Sequence, residues 1–135
     1  MNNPDIEIYI KETNCSEIND WLENNFQFVH FEQLNNETFF KGKIINGAVS
    51  LKTNADNTNI PVVITPHAAG KKFCSVWFKS DKTLWPNDEA CANSFLAMHD
   101  TEVRCSANSW TEKEEKDSEQ WLCLSQNDKK LIHWG

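Results

Sequence analysis

Alternation opens the chain: Ile6, Ile8 and Ile10 are separated by Glu7, Tyr9 and Lys11, the period of a strand with one face on a core. The period then changes. Asn14 followed three residues later by Glu17 is an Asn variant of the capping box, and Ile18, Trp21, Leu22 and Phe26 recur at helical spacing, which predicts a helix over 15–24. Phe26–Leu34 is aromatic and β-prone, ending at Asn35-Asn36. Thr38–Ile45 and Ala48–Thr53 flank Asn46-Gly47, a dipeptide that tolerates the positive φ of a type I′ turn, so a hairpin is expected there. Ile60–Thr65 is a β-branched run interrupted by Pro61; a proline donates nothing to a ladder, so this strand is expected at an edge or starting at its proline.

The second half repeats the plan of strand then helix. Phe73–Lys79 reads as a strand, and Asn87 caps a second helix ending near His99, with Asp88 and Glu89 favouring its N-terminal dipole and Cys91, Phe95 and Met98 on one face. Glu102–Ser106 is a strand, 107–119 is polar with room for a helical turn, and Gln120–Ser125 with Lys130–Trp134 forms a terminal hairpin. Strands outnumber helices and most connections are hairpin-like. The expectation is an α+β fold over one domain, 1–135: a mainly antiparallel sheet with two helices on one face, compatible with a ferredoxin-like split βαβ carrying inserted strands.

Six Trp and eight Phe among 135 residues argue for a packed core, because aromatic side chains bury large areas. The start of the chain has no basic region followed by an apolar stretch, and no run is long enough to span a bilayer, so a cytoplasmic protein off the membrane is expected. Five Cys at 15, 74, 91, 105 and 123, an odd number without close pairs, read as free thiols of a reducing compartment. The opening Pro4–Lys11, the Trp21-Leu22 pair, and Trp85-Pro86-Asn87-Asp88-Glu89-Ala90-Cys91-Ala92 with Glu102-Val103-Arg104-Cys105 resemble a group of small uncharacterised cytosolic bacterial proteins. The resemblance implies a soluble bacterial protein and transfers no activity to any residue.

Charge narrows the partner. The net charge of −7 opposes a phosphate backbone, so nucleic acid is not expected as a ligand. The excess is concentrated in residues 81–128, which hold 11 acids and 4 bases, against 9 and 7 in residues 1–80. Zinc-type spacings such as CxxC or HExxH are absent, and no cofactor is expected.

The nucleophile candidates each have a plainer explanation. Cys74, with His67 as base, lies in a strand where a buried thiol is the default; Cys91 lies in a helical first turn that lowers thiol pKa, but also on the core stripe. Cys105 has Arg104 beside it, yet strand neighbours point to opposite faces, and a structural ion pair suits the guanidinium better. Glu114, Glu115, Asp117 and Glu119 read as solvated surface. His30, His67, His99 and His133 have no ligand spacing. Trp21 and Trp77 fit core faces, whereas Trp85, Trp110 and Trp134 fall in a turn, a polar segment and the chain end, where they either seal the sheet or supply interface anchors.

The leading expectation is a non-enzymatic module that binds another protein, basic in character, through an acidic, Trp-containing surface. Trp85, Asp88, Glu89, Trp110, Glu114 and Glu115 are its candidate contacts, and an inhibitor or immunity-type protein is one version. The alternative is a small enzyme or ligand-binding protein whose pocket uses Cys91, His99 or His67 with the Thr65-Pro66-His67 turn. A homodimer pairing through Ile60–Thr65 is compatible with either.

Overall fold

The structure is a computed structural model that describes residues 6–26, 28–31, 44–50, 59–67, 72–79, 85–106 and 120–133. In chain order the elements are β1 (Ile6–Lys11), α1 (Cys15–Asn25), β2 (Phe28–Phe31), β3 (Ile45–Ser50), β4 (Asn59–Thr65), β5 (Phe73–Phe78), α2 (Asp88–Leu96), β6 (Glu102–Ser106), β7 (Gln120–Ser125) and β8 (Asp128–His133). The strands form one sheet in the order β2-β3-β4-β5-β1-β6-β7-β8, with every neighbouring pair antiparallel. This is the expected α+β arrangement. β5, α2 and β6 form a split βαβ unit, since β5 and β6 lie on either side of β1 and run the same way.

Register decides which residues enter the core. Ile6, Ile8 and Ile10 stand opposite Phe78, Val76 and Cys74 on one side, and Ile8 and Ile10 opposite Cys105 and Val103 on the other, all buried on the face that carries the helices. Their alternates Glu7, Tyr9 and Lys11 are only half-buried on the opposite face. The core therefore lies between one sheet face and a layer of two helices.

Both helices start where their caps dictate. Asn14 Oδ1 accepts the Glu17 amide at 2.9 Å, and Asn87 Oδ1 accepts the Ala90 amide at 2.8 Å. α1 buries Ile18, Trp21 and Leu22; α2 buries Cys91, Ala92, Phe95 and Leu96. Trp21 is 0% exposed and joins the layers: its ring stacks on Trp85 at 5.6 Å and meets Phe78 and Phe95 edge-on at 5.8 and 5.3 Å. Its indole N–H donates to Ser94 Oγ at 2.9 Å, and that hydroxyl donates to the Cys91 carbonyl at 2.6 Å, so the buried polar atom is satisfied.

Several sequence expectations are corrected. Asn46-Gly47 is no hairpin turn: both lie inside β3, with Gly47 opposite Phe31 on one side and Val62 on the other. Ile45, Gly47 and Val49 keep the strand period, and pairing on both sides overrides the local turn preference. β4 is not an edge either, which removes the Ile60–Thr65 route to a homodimer; it lies between β3 and β5. Pro61 is tolerated there because its carbonyl, and hence its missing N–H, faces β5, where it accepts the Lys79 amide at 2.9 Å just past the strand's end.

Trp77 points away from the helices and is half-buried beneath the Lys79 ammonium, which lies 4.9 Å from its ring. Met98 leaves the core face and is 38% exposed, because α2 ends at Leu96. β8 starts at Asp128, two residues earlier than its expected hairpin partner. As an outer strand it is guarded by Lys129 and Lys130, and the Asp128 carboxylate occupies the Lys129 amide at 2.9 Å. The expectations for Asn35-Asn36, for the 107–119 segment and for Trp134 lie outside the described residues.

Candidate functional site

Three of the six candidate contacts, Trp85, Asp88 and Glu89, are described; Trp110, Glu114 and Glu115 lie outside the described residues. Trp85 is no exposed anchor: it is 9% exposed, stacked on Trp21 and edge-on to Phe26 and Phe78, so its ring closes the aromatic core. Asp88 opens α2 and is also 9% exposed. Burial pushes its carboxyl up to about 7; the Glu7 backbone hydrogen bond opposes the rise and the Glu7 charge adds to it. Glu89 is half-buried and takes the Lys129 ammonium at 2.8 Å.

The thiol chemistry finds no activated sulfur among the buried cysteines. Burial raises Cys74 and Cys105 to about 12 and Cys91 well above its ordinary value, with Asp88 adding to the last two. Cys74 faces the core opposite Ile10 and contacts the Ser75 carbonyl at 3.8 Å, whereas His67 is exposed in the turn after β4. His99 packs on Phe95 at 4.9 Å, with its Nε2 buried and without a hydrogen-bond partner. Cys91, His99 and His67 are not gathered at a described pocket. Among the described residues, no group of three or more His, Cys, Asp or Glu is placed to hold a metal ion.

The sheet face turned away from the helices carries a polar network that the linear sequence does not reveal. Ser75, Tyr9, Arg104, Cys123 and Lys130 are successive cross-strand partners over β5, β1, β6, β7 and β8. Glu102 organises one end: its Oε2 accepts Arg104 Nε at 2.7 Å and the Cys123 thiol at 2.9 Å, and Lys11 lies 3.9 Å from its other oxygen. Burial alone would raise the Glu102 carboxyl, but these hydrogen bonds and cations outweigh it and hold it below its ordinary value. Burial and the hydrogen bond to Glu102 push the Cys123 thiol up. At the other end Ser75 Oγ donates to Glu7 Oε2 at 2.8 Å, and burial together with Glu7 raises the Tyr9 phenol. Arg104 also lies over the Phe73 ring at 4.7 Å, and Tyr9 meets Trp121 edge-on at 5.4 Å. Arg104 is thus the ion-paired structural cation that its sequence position suggested.

The helix layer has a different electrostatic character. α1 contributes Glu17, Asp20 and Glu23 and α2 contributes Asp88 and Glu89, while neither helix contains a Lys or Arg. Asp20 and Glu23 are fully exposed, as are Glu12 and Asp100 in the turns that precede α1 and follow α2. The charge count by halves of the chain missed the α1 acids, because lysines elsewhere in residues 1–80 balance them. A count restricted to the predicted helices would have found them.

Comparison with protein-family models, with curated proteins and with solved structures finds no match for this chain. No helix among the described residues is long and apolar enough to cross a membrane.

Proposed function

We propose that the protein is a non-enzymatic module that binds a basic protein across its acidic helix layer, as an inhibitor or immunity-type protein covering a basic active site would. One observation carries this reading: two adjacent helices present carboxylates and no basic residue on the outer side of the fold. Such a surface steers a cationic partner toward it and repels anionic competitors. The burial of Trp85 moves the reading away from an indole anchor and toward Asp20 and Glu23, which are exposed and take no part in the core.

The test is capture from a bacterial lysate with the wild-type chain and with the Asp20→Lys/Glu23→Lys variant, followed by reconstitution with the purified partner. A basic partner is expected, with affinity reduced at least about tenfold by the charge reversal and falling further as salt rises from ~0.1 to ~0.5 M. Binding indifferent to both changes would sink the reading.

A further inference from the structure

A cleft of about 410 Å³ opens at the far end of the same helix layer, between the last turn and cap of α2 (Asn93, Leu96, Ala97) and the end of β7 with the turn into β8 (Ser125, Gln126, Asn127). We propose that this cleft receives a lysine or arginine side chain of the basic partner. The proposal rests on the reading above and adds a specific anchoring point to it.

Four features select a cation on an aliphatic stem. The last turn of α2 has no basic residue, so the negative end of its dipole is left for an incoming positive charge. The polar side chains of the cleft, Asn93, Ser125, Gln126 and Asn127, offer amide and hydroxyl oxygens, and none of its described lining residues is charged. Asp100 and Asp128, both exposed, lie a few residues beyond the two lining segments and add to the negative field. Leu96 and Ala97 provide the apolar surface against which the methylenes of a long basic side chain can lie. An anion would meet the helix carbonyl end, and a wholly apolar ligand would strand the amides.

The cleft is also held in shape. Gln126 Nε2 donates to the Leu96 carbonyl at 2.8 Å, clamping the β7–β8 turn to the end of the helix. A preformed receptor loses less entropy on binding than one that must be ordered.

The experiment is an amide NMR titration of the full chain with acetyl-Gly-Arg-Gly-amide into the millimolar range. Acetyl-Gly-citrulline-Gly-amide serves as the neutral isostere, and Asn93→Lys and Asn93→Ala as variants at an exposed position. Saturable shifts are expected at Asn93, Ala97, Ser125 and Asn127 with the arginine peptide, weakened about tenfold or more with citrulline or in Asn93→Lys and largely kept in Asn93→Ala. Equal shifts from both peptides would overturn the cation assignment. Shifts confined to Asp20 and Glu23 would overturn the cleft and leave the acidic-layer reading standing. Absence of any shift, together with a purified partner that ignores Asn93→Lys while responding to Asp20→Lys/Glu23→Lys, would also remove the cleft alone.

Discussion

The two faces of the sheet treat a carboxylate in opposite ways. On the helix-covered face Asp88 is buried at the head of α2, and desolvation raises it to about 7. On the open face Glu102 is partly buried too, but Arg104, Lys11 and the Cys123 thiol surround it and hold it low. Burial acts on both; the partners decide which way each moves. The helix-covered face owes its cohesion to apolar packing, and charge there is tolerated only at its margin. The open face balances its charges pairwise, leaving the unbalanced negative field to the outer side of the helices.

The strongest way to break this contrast is to truncate one tryptophan on each face. Trp21→Ala removes a ring in contact with Phe78, Trp85 and Phe95 and strands the Ser94 hydroxyl, so a loss of about 3–5 kcal/mol is expected. Trp77→Ala removes a half-buried ring whose described ring contact is the Lys79 ammonium, and about 1 kcal/mol is expected. Urea unfolding of the two variants measures both. Comparable losses would show that the open face is a second core.

A smaller effect, with a defined pH sign, comes from Asp88. Its folded pKa is raised above the unfolded value near 3.8, so its contribution to stability is fully present below that value and is lost as pH rises toward about 7. Asp88→Asn should therefore be close to neutral at pH 4 and stabilising at pH 8, by about 2 kcal/mol after discounting for residual solvation. An asparagine oxygen can still accept the Glu7 backbone hydrogen bond, which keeps the comparison clean. Urea midpoints at acid and mildly alkaline pH check the sign; a variant that loses stability at pH 8 would mean that the helix dipole outweighs burial.

Caps come next in size. Asn14→Ala and Asn87→Ala each remove a side-chain acceptor from a first-turn amide, at an expected cost of about 1 kcal/mol in thermal or urea unfolding. These caps were legible in the sequence, as were the alternation of Ile6, Ile8 and Ile10 and the core stripes of both helices, because each depends on residues close in the chain. The β3 and β4 assignments failed for the complementary reason. Asn46-Gly47 and Pro61 carry strong local signals, and partners far along the chain overruled them. Trp85 is next to Pro86 in an irregular segment, and only the packing of α1 against β5 and α2 shows that its ring completes the core. The acids of α1 were visible all along; what hid them was adding their charge to that of segments lying elsewhere in the fold.

The smallest effect belongs to Glu102, and its sign is the reverse of that of Asp88. Its folded pKa is lowered, so the stability it contributes is present above the unfolded value near 4.5 and is lost as pH falls through the folded one. Its side chain is 23% exposed, and solvent screening limits the ion pairs with Arg104 and Lys11 to under about 1 kcal/mol. Glu102→Gln should cost that much at pH 7 and nothing at pH 3. The same substitution removes the anion that holds the Cys123 proton, while the burial of the sulfur remains. Alkylation of Cys123 under native conditions at pH 8 should then accelerate a few-fold while Cys74, Cys91 and Cys105 stay protected, a difference readable by peptide mass spectrometry. Acceleration at all four buried thiols would mean that Glu102 holds the sheet together, and that the two faces are less independent than their charges suggest.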